Sequence, residues 1–311
     1  MRLTYTLATK HKVKTVTVSV FRHAMIIAIS FVILYPLMVK IPSAFMTEAD
    51  AIDRLVRWIP TKLTLDNFKV AFQLMNYPKT FTNSLVLALT VSILQTISCM
   101  LIGYGLGRFE FPGGNLIMGL VLFTLVVPPQ LINIPMYLNF RFFDIFGLLP
   151  KTINLLGTHW PFILTAITGT GLRNGFFIYI MRQCFKGMPQ ELEDAAYVDG
   201  AGPFTTFWRV MLPGAGNSLL IVFLFSFVWQ WNDIFLSTLY LGGSLEYLPF
   251  ALQDISQILY EGRREFLVTF QYASLLNNAG MLMFIAPLLI IYAVLQRYFI
   301  ESIERTGITG F

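Results

Sequence analysis

Charge is the scarcest resource in this chain. Asp, Glu, Lys and Arg together make up 13% of its 311 residues, about half the 25% of an ordinary soluble domain. A chain this poor in charge cannot cover itself with polar surface, which excludes a water-soluble globular fold. Cysteine is almost missing: Cys99 and Cys184 each lie in or at the end of an apolar segment, and their spacing offers neither a disulfide framework nor a metal site. His11, His23 and His159 are scattered, away from Cys and carboxylate partners, so no metal is read. No G-x-x-x-x-G-K-[ST] loop occurs, so a process that uses ATP would need another chain to bind it. The net charge is +5, but no basic cluster is interleaved with aromatics as nucleic-acid binding requires. The Lys and Arg residues instead flank apolar runs, as they do beside anionic headgroups.

What is present is an abundance of hydrophobic residues, 56% of the chain, gathered largely in long blocks. A membrane span needs about 20 mostly apolar residues. Six segments qualify, near 22–45, 81–106, 115–138, 158–182, 216–239 and 273–298. Lipid leaves open sheet edges unsatisfied and the alternation of a β-barrel is absent, so these segments are expected to be helices. The fold class is therefore an all-α polytopic membrane protein with six spans.

The division follows: an N-terminal segment 1–21, a first transmembrane helix 22–45, a loop 46–80, a core 81–298 containing a polar loop 183–215, and a tail 299–311. The N-terminus is basic (Arg2, Lys10, Lys12, Lys14, Arg22) and no small-residue cleavage site follows its apolar run, which reads as a retained signal anchor. A basic N-terminus sets the first span with its start in the cytoplasm. The segment 1–21, the loop 183–215 and the tail are then cytoplasmic, and 46–80 is extracytoplasmic.

The loop 183–215 is out of keeping with the rest. Its stretch "QELEDAAYVDGAGPFTTFWRVMLPG" reads as two short helices. Pro189 suits a first turn, and Glu191, Glu193 and Asp194 favour the positive end of a helix dipole. Leu192, Ala195, Ala196 and Val198 form an apolar or small face, and Gly200 is able to end the helix in the left-handed region. Pro203 opens a second helix with Phe204, Phe207, Trp208, Val210 and Met211; Pro213 and Gly214 stop it. Two readings stay open: a hairpin lying on the headgroups, and a docking site for a protein. An acidic first helix would be repelled by anionic lipid, and small residues allow close protein approach.

That segment resembles the signature loop of permease subunits of binding-protein-dependent ABC importers. The family pattern is Glu-Ala-Ala, Gly four residues on, and a distal Leu-Pro. Here it is matched by Asp194, Ala195, Ala196 and Gly200 with Leu212-Pro213. The leading Glu is Asp194, one methylene shorter. Further segments, "ILYPL", "NSLVLALTVS", "GYGLGRFEFPG", "VPPQLINIPMY", "WQWNDIF" and "QRYFIESIERTGITG", resemble the carbohydrate-type members related to the maltose-transporter G-like subunit.

The resemblance implies the type I importer permease fold and a sugar or oligosaccharide as cargo. Another solute of the same family, such as an acidic sugar or a polyol phosphate, remains open, as does a non-ABC membrane transporter or a scaffold without transport. It implies that this chain is no enzyme and binds no cofactor. A second permease subunit would complete a heterodimeric pore, two ATPase subunits would use ATP and Mg, and an extracytoplasmic sugar-binding protein would deliver the substrate. The coupling role falls on Glu191, Asp194, Ala195, Ala196, Asp199, Gly200, Leu212 and Pro213. The C-terminal Thr306–Phe311 is either a second ATPase contact or a frayed end.

Polar residues within the apolar segments are candidate pathway residues. Arg173 lies inside the fourth one, where a charge must face a cavity, a partner or a helix break near Gly169 and Gly171; a cation there also suits an acidic sugar. Trp229, Gln230, Trp231, Asn232 and Asp233 combine aromatic faces with hydrogen-bonding groups, which suits sugars but also helix packing. In the maltose-type family the transmembrane sugar site lies in the other permease subunit, so the resemblance leaves open whether this chain holds sugar itself or only lines the pathway. Gly103 and Gly107 form a small-xxx-small pair for close helix packing.

Overall fold

A computed structural model describes residues 2–308 except 54, 57, 146, 149, 172, 244, 245 and 263–269, with side chains from 16 onward apart from 256–262 and 298–308. In chain order the helices are α1 (Arg2–Ala44), α2 (Glu48–Ile52), α3 (Asp66–Leu74), α4 (Tyr77–Arg108), α5 (Gly114–Val126), α6 (Pro129–Arg141), α7 (Trp160–Thr168) and α8 (Asn174–Gly187). They continue with α9 (Glu191–Val198), α10 (Pro203–Thr206), a π-helical turn (Phe207–Met211), α11 (Leu212–Gly214), α12 (Gly216–Trp231), α13 (Phe235–Leu241), α14 (Leu248–Gly262) and α15 (Phe270–Ile308). The helices pack as two units, Met1–Leu74 with Asp254–Met283, and Met75–Gln253 with Phe284–Phe311.

In the first unit α1 is strongly apolar over Val16–Ala44 and exposed nearly throughout residues 16–36, the mark of a helix that belongs in lipid; its last turns, ending at the buried Ala44, pack against the unit. The expected boundary between 1–21 and 22–45 is not a break, because α1 runs through it. Its end is closed by Asn67, whose buried amide donates to Ala44 O at 2.9 Å and Met46 O at 2.8 Å. This satisfies carbonyls that a helix end leaves unpaired. α2 opens with a reciprocal capping box: Asp50 N donates to Thr47 Oγ1 and Thr47 N to Asp50 Oδ2, each at 3.3 Å. The Thr61 hydroxyl also donates to Asp50 and holds its carboxyl below the usual carboxylate range.

The second unit is built around α4, on which α7, α8 and α12 pack. Glycine makes the α4–α8 approach possible. A Cβ on Gly103 would lie 2.5 Å from Met181 Cβ and 2.9 Å from Arg182 N, and one on Gly107 3.1 Å from Arg182 O. The Arg182 Nε in turn donates to Leu106 O at 3.1 Å. Gly103→Val is therefore expected to destabilise by about 1–3 kcal/mol through overpacking, read as a lower unfolding midpoint of the detergent-solubilised protein. Gly105→Ala is the control. Its Cβ would meet nothing within 4 Å, so the midpoint should hold or rise.

The six apolar segments do not become six straight helices. Among the described residues three helices, Val16–Ala44, Tyr77–Arg108 and Phe270–Arg297, are long and apolar enough to cross a membrane, or up to five if each bent pair is one span. The third segment, 115–138, divides into α5 and α6, which meet at 100°. Pro128 and Pro129 sit at the bend and supply no N–H to continue a helix. The fourth, 158–182, divides into α7 and α8 around 169–173, where Gly169 takes φ +68°. The fifth, 216–239, breaks after Trp231 and resumes as α13. α15 continues past residue 298 to Ile308 without a break in the helix; residues 309–311 of the tail, and all tail side chains, lie outside the described residues.

Candidate functional site

The polar loop folds as two short helices joined by a tight turn. α9 ends in a Schellman arrangement: Gly200 N donates to Tyr197 O at 3.0 Å and Ala201 N to Ala196 O at 2.9 Å. That closure needs Gly200 in the left-handed region, and it has φ +83°. Pro203 then starts α10 behind the extended Gly202. The helix widens into the π turn at Phe207–Met211. Such widenings are concentrated at functional positions.

One side of this hairpin is welded to the second unit. Phe207, Met211 and Ala215 are buried in one cluster with Cys99 and Met100 of α4 and Phe177, Met181 and Phe185 of α8. Tyr104 packs on Phe207 and Phe185 at ring distances of 4.7 and 5.2 Å.

The weld also contains an ion pair. Arg108, the last residue of α4, places Nε 3.1 Å from Glu193 Oε2, with side chains 10% and 11% exposed. That contact is a charge pair without hydrogen-bond alignment. The aligned bonds are made by the other guanidinium nitrogens, to Met188 O at 3.2 Å and Pro189 O at 3.3 Å. Tyr104 Oη donates to Glu193 Oε1 at 3.2 Å. Neither Arg108 nor Tyr104 was a candidate from sequence. The available signal was their place in "GYGLGRFEF", which puts both on the last turns of one helix.

The opposite side of the hairpin is open. Glu191, Asp194, Ala195, Asp199, Gly200 and Pro213 are exposed. Ala196 is instead buried at 7%, and Leu212 is half-buried against the core cluster, so these two face inward. The apolar side chains Val198, Phe204 and Trp208 stand out at 87, 75 and 50% exposure. The open face is thus acidic at α9 and apolar around the turn, a combination suited to protein contact rather than to anionic lipid.

A second feature lies between α4, α6, α7, α12 and α13. It is a cavity of about 360 Å³, within the range of small-molecule sites. Gln130, Asn133, Arg173, Trp229, Gln230 and Asp233 are among its lining residues. The Arg173 guanidinium stands 4.6 Å from the centre of the Trp229 ring, a cation–π contact, and Phe177 stacks on the same indole at 5.2 Å. Asp233 is committed to the start of α13. It accepts from Ser237 N at 2.9 Å, Ser237 Oγ at 3.2 Å and Leu236 N at 3.5 Å.

The break at 169–173 beside this cavity is held by buried polar groups that sequence reasoning missed. Asn174, 1% exposed, donates to Thr165 O at 3.3 Å. It accepts from Gln95, which accepts in turn from Ser226. Ser98 donates to Ala166 O at 2.6 Å. Irregular backbone within a membrane is tolerated where such groups satisfy it. Isolated Ser, Gln and Asn in apolar runs were the only trace of this in the sequence.

Arg173, Trp229, Gln230 and Asp233 come together around this cavity. Trp231 does not: it is 1% exposed, stacks with Phe227 and donates from Nε1 to Phe284 O at 3.2 Å. Asn232 is occupied in capping its own helix, donating to Val228 O at 2.7 Å.

The chain is similar to known proteins. The arabinooligosaccharides transport system permease protein AraQ of Halalkalibacterium halodurans is 28% identical, covering 91% of this chain and 93% of its own length. The maltodextrin transport system permease protein MalD of Streptococcus pneumoniae is 26% identical, covering 92% and 93%. The diacetylchitobiose uptake system permease protein NgcG of Streptomyces coelicolor is 26% identical, covering 91% and 86%. A chain from the crystal structure of a bacterial ABC transporter involved in the import of the acidic polysaccharide alginate superposes with a TM-score of 0.71 at 20% identity. The match covers 90% of this chain and 96% of that one, and it shows a shared fold. The model of binding-protein-dependent transport system inner membrane components matches residues 99–305, two thirds of the sequence, including the hairpin and most of the cavity lining, and the chain belongs to that family.

Proposed function

We propose that this chain is a pore-forming permease subunit of an ATP-driven carbohydrate importer, in which the hairpin at α9–α11 receives the motion of a separate ATPase. The cargo class comes from the relatives, whose names specify arabinooligosaccharides, maltodextrin and diacetylchitobiose. The observation that carries the mechanical reading is the two-sidedness of the hairpin. Its open face carries Asp194, Val198, Phe204 and Trp208, while Phe207, Met211 and Glu193 tie its back to α4 and α8. A body held this way transmits displacement as a unit instead of absorbing it.

In this reading the chain breaks no bond. Two ATPase subunits bind ATP and Mg and close on the hairpin. A second permease subunit completes the pore, and an extracytoplasmic sugar-binding protein presents the substrate. Glu191, Asp194 and Asp199 offer carboxylates to basic groups of the ATPase, and Gly200 holds the turn that sets the angle between α9 and α10. Co-purification of this chain with an ATPase whose hydrolysis rises on adding binding protein and sugar is the expected result. ATP-independent uptake by this chain alone would overturn the proposal.

A further inference from the structure

The cavity carries more chemistry than a passage for neutral sugar requires. Arg173 is exposed and lines it, and it stands at the break in the fourth apolar segment, where a cation is costly unless it serves a partner or a ligand. Trp229 supports the guanidinium from one face. A guanidinium held over an indole face has N–H groups left for a two-pronged bond. Among the described residues no acceptor takes a hydrogen bond from Arg173, and no carboxylate lies within ion-pair distance of it. The acid that shares the cavity, Asp233, is turned to the backbone and hydroxyl of α13. Around the cation are neutral amides: Gln130 and Asn133, three residues apart on α6, and Gln230, whose buried Nε2 has no hydrogen-bond partner among the described residues.

Building on the carbohydrate-permease reading, we infer that this cavity is a substrate subsite within this chain for a sugar bearing a carboxylate, a uronate. Arg173 receives the carboxylate through its free fork, and Trp229 and Phe177 hold the guanidinium in place. The side-chain amides of Gln130, Asn133 and Gln230 take the ring hydroxyls, for which an amide supplies both donor and acceptor. The acid of the cavity, Asp233, feels the field of Arg173 but spends its acceptors on α13, which leaves the guanidinium's donors and the neutral amides for one carboxylate on a polyhydroxylated ring. A phosphate group, with about twice the charge, calls for a denser set of donors.

The test uses the assembled transporter in lipid nanodiscs and three probes: digalacturonate, the neutral galactobiose of the same linkage, and glycerol 3-phosphate. Digalacturonate should bind about tenfold or more tightly than galactobiose, the equivalent of about 1.4 kcal/mol. Arg173→Gln should reduce that preference to within about twofold, and Arg173→Lys, which keeps the charge but loses the fork, should leave an intermediate preference. Equal binding of the two disaccharides by the parent protein overturns the inference. So does a preference that survives Arg173→Gln, or tighter binding of glycerol 3-phosphate than of digalacturonate. Co-purification of the subunits reports whether Arg173→Gln assembles; if it does not, Arg173→Lys against the parent carries the comparison, and an unchanged preference there counts against the fork. ATP-driven uptake of neutral sugar with no uronate preference removes this inference and leaves the permease reading standing. No ATP-driven carbohydrate uptake at all removes both.

Discussion

Gly200→Val is expected to abolish carbohydrate uptake while ATP hydrolysis by the assembled complex continues. The cause is conformational rather than steric. A Cβ at this position would meet nothing within 4 Å, but the backbone stands at φ +83°. For a non-glycine residue the left-handed region costs about 1–2 kcal/mol, and β-branching makes it worse. The cheapest relief is to open the Schellman closure, giving up the bonds from Gly200 N to Tyr197 O and from Ala201 N to Ala196 O. α9 would then point differently relative to α10, while the buried Phe207 and Met211 keep the rest of the hairpin in place. Membrane insertion and the unfolding midpoint should change little, because the turn is exposed. Uptake into proteoliposomes should fall more than about tenfold, the scale on which an effect of over 1.4 kcal/mol registers. Gly200→Asn should be milder, since Asn is among the side chains that enter this region most readily. Normal uptake by Gly200→Val would refute the coupling role of this turn.

The second large effect belongs to the Arg108–Glu193 pair. Removing one partner of a buried pair leaves the other charge uncompensated, which costs about 3–5 kcal/mol. With side chains only 10% and 11% exposed, Glu193→Gln and Arg108→Met should each lower the unfolding midpoint sharply. Arg108→Met is the harsher change, because it also releases Met188 O and Pro189 O. The double variant should recover part of the loss, since no lone charge remains. Additive losses in the double variant would show that the pair does not act as one. The neighbouring acid provides the contrast. Asp194 is exposed, and Asp194→Ala should alter stability by no more than about 0.5 kcal/mol, yet weaken stimulation of the ATPase by the loaded binding protein. One acid of "LEDAA" thus fastens the hairpin to its own chain, and the next is available to another.

These two residues show how far the sequence could be read. The motif located the hairpin, and the prolines and Gly200 defined its two helices, because a missing N–H and a positive φ are local demands. The sequence did not distinguish Glu193 from Asp194. Which acid is buried depends on where α9 is rotated against the end of α4, a contact between residues 85 positions apart in the chain. The inward positions of Ala196 and Leu212 were hidden for the same reason. Trp231 and Asn232 illustrate a related limit: next to Trp229 and Asp233 in "WQWND", they point elsewhere because successive residues of a helix face different directions.

By itself the sequence determined that the chain lives in a membrane, that its elements are helices, and where a polar handle interrupts them. Those follow from composition, segment length and the absence of water for the backbone in lipid. The tertiary structure decided which apolar segments break. At Gly169 the helix yields where a neighbour takes over a freed carbonyl, as Ser98 does for Ala166. It also decided that Arg173 meets Trp229, 56 positions away, over a cavity. Hydropathy records how much each residue avoids water; which distant side chain it meets is a property of packing alone.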